Sequence, residues 1–306
     1  MHLEGIHHIT AITGDAQRNL DFYTRVLGLR LAAKTVNQDD PTVYHLFYAS
    51  ELGQAGSDIT FFEYPGAIPG RAGAGMVHRI VHRVASEDSL DFWAERLETE
   101  GGAVAREYGA VVFEDPEGLA HELVVNTSGD EPLVAVHPEI PEEHALQGFE
   151  GVRAYSDDTA ATRAVLEQVL SARSGGDQMW EMRGDRRGGW IAYDDAPLER
   201  GRQSAGTVHH VAWGTTVAEH PKWQEHLTSV GIPTSGIVDR HYFHSIYFRE
   251  PSGVLFEIAD DGPGFTVDVP LEELGSKIIL PPKFEPHREE IEARLTPLPD
   301  PRASRA

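Results

Sequence analysis

"GTVHHVAW" occupies residues 206–213, and "GIHHITAI" occupies residues 5–12. Each is a glycine, one or two residues, a pair of histidines, then an apolar run. The phrase returns in altered form as "GMVHRIVH" at 75–82. Working outward, the longer stretch "GMVHRIVHRVASEDSLDFWAERL" (75–97) runs parallel to "GTVHHVAWGTTVAEHPKWQEHL" (206–227). Both open on G-x-V-H, run apolar, turn polar, and enter a helical pattern with an aromatic midway and leucine at the end. A second pair matches as well: "VVFEDPEGLAHELVV" (111–125) and "IYFREPSGVLFEIAD" (246–260). Both carry acid-Pro-x-Gly between apolar runs, then a glutamate four residues after the glycine. Proline fixes φ and glycine accepts positive φ, so this core is a turn and its flanks form a hairpin. Self-similarity of this kind marks a repeated architecture.

Each unit therefore reads as a strand, a helix and several further strands. The first has "IHHITAIT", then the helix "DAQRNLDFYTRVLG" closed by glycine, then "TVYHLFYAS" and "DITFFEY". The third, from about 147, has "GFEGVRAYS", the helix "DTAATRAVLEQVL", then "DQMWEMRG" and "GGWIAYDD". The expected fold class is α+β, with four βαβββ modules at 1–64, 75–126, 147–196 and 206–261. Gly/Pro-rich or polar linkers fall at 65–75, 127–147 and 196–206. The remainder, 262–306, reads as a C-terminal extension of one helix and a loose tail.

The bulk composition narrows the function. The chain has 306 residues and no cysteine, which removes disulfides, thiolate ligands and cysteine nucleophiles. Its formal charge of −23 repels phosphate backbones, so nucleic acid is not an expected partner. No apolar run is long enough to cross a bilayer, and "MHLEGIHHIT" lacks the parts of a signal peptide, so a cytoplasmic location without membrane contact is expected.

A βαβββ unit repeated four times, over roughly residues 4–261, resembles the vicinal-oxygen-chelate superfamily of glyoxalases, bleomycin-resistance proteins and extradiol dioxygenases. That resemblance implies paired modules whose curved sheets close around a metal. The first strand of such a module begins at the mouth of its half-barrel, and the last strand runs beside it. Module 4 then offers His209 or His210 with Glu257, and module 1 offers His7 or His8. Adjacent strand residues point to opposite faces, so one histidine of each pair should bind. Module 2 has His78 where module 4 has His209, and Arg79 where it has His210. If module 2 holds no metal, the second position is the ligand position, which selects His8 and His210. Two imidazoles and a carboxylate form the facial triad of non-haem Fe(II), and Mn(II) takes the same ligands.

Glu63 in "FFEY" is the serious rival to Glu257, because in glyoxalases each module of a pair can give a glutamate. Glu122, the module 2 equivalent, has Arg79 as its expected partner. Module 3 carries no histidine in "GFEGVR", so modules 1 and 4 should form the metal pair and modules 2 and 3 a metal-free pair. This arrangement is similar to that of the hydroquinone-type ring-cleaving dioxygenases. The similarity is carried by "IHHIT" (6–10), "VYHLFYASELGQAGSDITFF" (43–62), "EHALQGFEG" (143–151) and "DRHYFHSIYFREPSGVLFEIA" (239–259). The group implies His8, His210 and Glu257 as iron ligands, and His7, Thr10, His209, Arg240 and Tyr247 in or beside the substrate pocket. His241 and His244 lie close enough in sequence to compete, and His45 reads as pocket lining or core.

The function this implies is that of an Fe(II)-dependent, extradiol-type ring-cleaving dioxygenase acting on hydroquinone-type diols with O2. Its partners would be a small aromatic substrate and O2, and a homo-oligomer is compatible with the sequence. The competing readings are a glyoxalase-like metal-dependent isomerase or conjugating enzyme, and a metal-free drug-binding resistance protein.

Overall fold

In a computed structural model, which describes residues 1–303, the chain forms two mixed eight-stranded sheets. In chain order the strands are β1 (Ile6–Thr13), β2 (Arg30–Val36), β3 (Tyr44–Ala49), β4 (Asp58–Glu63), β5 (Val77–Val84), β6 (Val104–Glu107), β7 (Ala110–Glu114) and β8 (Ala120–Val125). They continue as β9 (Phe149–Ser156), β10 (Arg173–Gly176), β11 (Met179–Arg183), β12 (Gly188–Asp195), β13 (Thr207–Thr215), β14 (Ile237–Asp239), β15 (His244–Arg249) and β16 (Leu255–Asp260). The first sheet runs β14-β15-β16-β13-β1-β4-β3-β2 and the second β10-β11-β12-β9-β5-β8-β7-β6. The outermost quarters of the strand sequence thus share one sheet, and the middle quarters share the other. The fold is α+β, with two half-barrel pairs.

Four helices pack on these sheets: α1 (Ala16–Asp21), α2 (Glu87–Thr99), α3 (Ala160–Ala164) and α4 (His220–Ser229). α1 and α3 each widen into a π-turn, over Phe22–Val26 and Val165–Val169. The core between helices and sheets is built on Trp93, Trp213 and Trp223, all essentially without exposure.

The repeated glycine has a structural reason. Gly206 sits at φ +78, and a Cβ there would lie 2.1 Å from the carbonyl oxygen of Glu117, inside the Asp115–Gly118 turn of the other half. Gly75 sits at φ +76, where a Cβ would meet the carbonyl of Ser252, in the Glu250–Gly253 turn, at 2.7 Å. These two phrases therefore enter their strands by pressing bare backbone against the acid-Pro-x-Gly turn of the opposite pair, which only glycine permits, whereas Gly5 of the first phrase presses on Gly188. In each turn the acid holds the loop: Asp115 Oδ1 accepts from the backbone of Glu117 and Leu119, and Glu250 from that of Ser252 and Val254.

Residues 262–303 carry the one expected helix, Arg288–Glu292, but are not otherwise loose; 304–306 lie outside the described residues. The segment is laced to module 1. Ile279 N–H donates to the Lys34 carbonyl, Lys34 Nζ to the Leu298 carbonyl, and Arg302 forms a bidentate pair with Glu51 at 2.7 Å. Phe265, Val269, Leu274 and Ile279 join Ala33, Phe47, Ala49, Tyr242 and Phe243 in one buried cluster, so the extension plugs the cup of the first sheet. Alternation in sequence does not register such a strap, because its contacts are to a distant edge strand. Among the described residues no helix is long and apolar enough to cross a membrane.

Candidate metal centre

The first sheet places β13, β1 and β16 in one neighbourhood. β1 is antiparallel to β13, with His8 opposite Ala212 and Thr10 opposite His210, and β13 is parallel to β16, with Ala212 beside Glu257. β-branched residues dominate β1, as suits a fully buried strand. The β1·β13 register slips between Ile6 and His8 and again between Thr10 and Ala11. Such bulges re-aim side chains and are common beside functional sites.

His8, His210 and Glu257 come together, all buried. The two Nε2 atoms are 3.3 Å apart, and Glu257 Oε2 lies 3.3 Å from His8 Nε2 and 3.0 Å from His210 Nε2. Ligand atoms bonded at about 2.1 Å to one ion stand roughly 3.0 Å apart at right angles and about 3.4 Å apart at tetrahedral angles. The triad matches that spacing without rearrangement. Glu257 Oε1 accepts from Ser245 Oγ at 2.5 Å, whereas Oε2 is buried without a hydrogen-bond partner. An orphaned carboxylate oxygen costs folding energy unless something cationic meets it. The donor set therefore fits a divalent metal.

The protonation states agree. Burial pushes His210 down, toward neutral imidazole, and Glu257, which burial alone would raise, is held well below the usual carboxylate range by charge and N–H groups of His8 and His210 whose place a divalent cation would take. Neutral imidazole and ionised carboxylate are the forms a metal needs.

Behind the triad stand the other histidines of each pair. His7 Nδ1 is 3.0 Å from His8 Nδ1, and His7 Nε2 is 3.0 Å from the Asp260 carbonyl. Burial, with His8 beside it, takes His7 down to about 3, so the ring is neutral. Its Nε2–H donates to the carbonyl, its Nδ1 accepts from His8 Nδ1–H, and His8 is left with its lone pair on Nε2, facing the triad. His209 stands behind His210 without the carbonyl contact, with Nδ1 2.8 Å from His210 Nδ1 and a pKa taken to about 3 by burial and His210. Such outer partners fix ligand tautomer and ring orientation. Replacing His7 by Phe should weaken metal affinity ~10–100-fold in a folded protein, as read by competition with a chelator. An unchanged affinity would remove His7 from this role.

A narrow cavity opens over the triad, lined by His8, His210, His45, Phe47, Phe62, Phe243, Arg240 and Tyr247 among others. Tyr247 sits opposite Glu257 on β15 and packs edge-on to the His210 ring at 5.7 Å. Arg240 gives Nε to Tyr247 Oη at 3.2 Å and both Nη atoms to Asp39, at 3.1 and 3.0 Å. His7, Thr10 and His209, expected near the substrate, do not line this cavity. His7 and His209 stand one bond behind the ligands, and His209 faces a separate recess with Gln203 and Arg249. Thr10 Oγ1 bonds Thr60 Oγ1 at 2.8 Å, and Thr60 in turn meets His45 Nε2 at 2.9 Å.

The rivals lie elsewhere. Glu63 accepts from the Ala16 N–H and from Thr296 Oγ1, at the start of α1. His244 pairs with Asp260 and His241 with Asp268. Glu122 pairs with Arg79 Nη1 at 3.1 Å. In the second sheet Gly151 stands where the first has His8: Val81 faces Gly151 as Ala212 faces His8. The Trp190 indole covers it so closely that a Cβ would lie 2.3 Å away. An ion pair and an indole thus occupy the place of a metal triad.

The Glyoxalase/Bleomycin resistance protein/Dioxygenase superfamily model matches residues 5–123 and 127–258. The chain belongs to that superfamily. It is 40% identical over 317 residues to MhqA of Bacillus subtilis, which is named as a ring-cleaving dioxygenase, covering 97% of this chain and all of that one. It is 29% identical to chlorohydroquinone/hydroquinone 1,2-dioxygenase of Sphingobium indicum, over 94% of this chain and 95% of the other. A crystal structure of a Bacillus subtilis protein described as a dioxygenase superposes with a TM-score of 0.90 at 39% identity, covering 98% of each chain. The chain is an enzyme of this superfamily.

Proposed function

We propose that this enzyme is an Fe(II)-dependent, extradiol-type dioxygenase that cleaves the ring of hydroquinone-type diols with O2. His8, His210 and Glu257 are its metal ligands. The observation that carries the reading is the meeting of three ligand atoms, one of them an orphaned buried carboxylate oxygen, beside an aromatic cavity that His8 and His210 line. The full-length likeness to proteins named for ring cleavage supports the reaction class, and the chlorohydroquinone relative supports the para-diol.

A redox-capable divalent ion on this triad would acidify the bound hydroxyl and couple the electrons of the ring to O2. The chain's own residues do the rest. Phe47, Phe62 and Phe243 wall the ring and keep water from it. Tyr247, whose phenol is pushed up by burial, keeps its proton and accepts from Arg240, so its O–H is a donor aimed over the His210 side of the cavity. His7 and His209 hold the ligand rings in one tautomer. The reading puts the enzyme in the cytoplasm, with a small aromatic molecule and O2 as its partners.

Oxygen uptake tests it. Protein loaded anaerobically with Fe(II) and then mixed with aerated hydroquinone should consume O2 mole for mole with the ring. Uptake with catechol alone would overturn the para-diol, and no uptake with either, despite bound metal, would overturn the dioxygenase.

A further inference from the structure

Three imidazoles face the cavity: those of His8, His210 and His45. The first two point their Nε2 atoms into the triad. His45 does not take part in it. It lies on β3, separated from β1 by β4. Its Nε2 is fixed by Thr60 Oγ1 at 2.9 Å, and Thr60 is fixed in turn by Thr10 Oγ1 at 2.8 Å. Both threonines are fully buried. Phe47 and Phe62 hold the ring between them, with centroids at 4.1 and 4.4 Å. A side chain packed against two aromatic rings and tethered at one nitrogen has little freedom. Its other nitrogen, Nδ1, makes no hydrogen bond among the described residues.

Of the other polar groups of the cavity, the Thr35 and Tyr242 hydroxyls make no hydrogen bond that fixes them and interact with each other; the rest are engaged. Arg240 has Nε on Tyr247 and both Nη atoms on Asp39. Gln38 donates to the Arg240 carbonyl, and Asn37 accepts from the Asp39 N–H. Tyr247 serves the end of the cavity over His210.

A ring with hydroxyls para to each other can bring only one of them to a metal. The other ends in a chamber walled by phenylalanine. A hydroxyl left there without a partner forfeits roughly 5- to 100-fold in affinity. We propose that His45 takes the substrate hydroxyl that does not reach the metal, and so selects para-diols over simple phenols. This rests on the dioxygenase reading. Because the Thr10 and Thr60 hydroxyls can rotate, the chain Thr10–Thr60–His45 presents Nδ1 either as donor or as acceptor. Thr10 and Thr60 are positioning residues, and His45 is the group that touches substrate.

The test is anaerobic binding to the Fe(II)-loaded enzyme, followed by equilibrium dialysis. Hydroquinone is compared with 4-methylphenol, which puts a methyl where the remote hydroxyl was. The wild type should prefer hydroquinone by ~10-fold or more. His45→Phe should bring that ratio to about 1–2, with iron content and 4-methylphenol affinity unchanged. Thr60→Val, which keeps shape and removes the tether, should reduce the ratio part of the way, and it carries the test if the Phe variant does not fold. A wild-type ratio in either folded variant overturns the assignment. If the wild type takes up O2 with hydroquinone yet His45→Phe keeps the preference, His45 alone is wrong. If the wild type neither prefers hydroquinone nor takes up O2, the dioxygenase reading falls and this inference falls with it.

Discussion

Glu257→Gln should abolish turnover, by on the order of 10³-fold or more, and leave the protein folded. Three observations set the size of the effect. Glu257 is the sole carboxylate of the triad, it is without exposure, and its Oε2 has no hydrogen-bond partner. A neutral amide of the same shape keeps the Ser245 bond but brings no charge to a divalent ion. The stability signature is as diagnostic as the activity. Adding metal should raise the wild-type melting temperature through mass action and leave the variant unmoved. His8→Ala and His210→Ala should lose metal and turnover in the same way. Retention of stoichiometric metal with full activity in any of the three would exclude this ligand set.

The second large effect lies in the other sheet. Arg83 is 1% exposed. Its Nη1 donates to Asp130 at 2.8 Å, Nε to Glu150 at 2.5 Å, and Nη2 to the Gly188 carbonyl at 2.9 Å. Asp130 also receives Arg183 at 2.8 Å and the Gly188 N–H, and these partners, set against its burial, hold it well below the usual carboxylate range. The network ties the 127–147 linker to β5, β9 and the start of β12. Gly188 in turn presses on Gly5, where a Cβ would come within 2.6 Å, so the seam between the halves hangs on it. Arg83→Met fills the volume but leaves two acidic groups short of a cation, and breaking such a buried pair costs about 3–5 kcal/mol. The expected result is a fall in melting temperature of roughly 5–10 °C with metal stoichiometry intact, read by calorimetry. A shift within about 0.5 kcal/mol, the range of ordinary surface substitutions, would show that the network carries no stability.

Much of this molecule is legible along the chain, because its repeats are local. Strand, helix and turn patterns recur in phase, and the missing histidine of "GFEGVR" already separates the second pair from the first. In the structure Gly151 under Trp190 supplies the physical reason. What could not be read depends on register. The tether from Thr10 through Thr60 to His45 joins three strands, and no spacing in sequence reports it. The same holds for His7, whose place behind the triad follows from the β1 bulge and from the Asp260 carbonyl on β16. The C-terminal extension was opaque for another reason. Its residues have no periodicity of their own and gain order only from the cup they close.

The central claim is that this triad and cavity join both atoms of O2 to a hydroquinone ring. Mass analysis of the product formed under labelled O2 by the Fe(II)-loaded enzyme tests it most directly. The product should be a ring-opened acid heavier than the substrate by both labelled oxygen atoms. A product lacking the label, such as the quinone left by simple loss of two hydrogens, would contradict it.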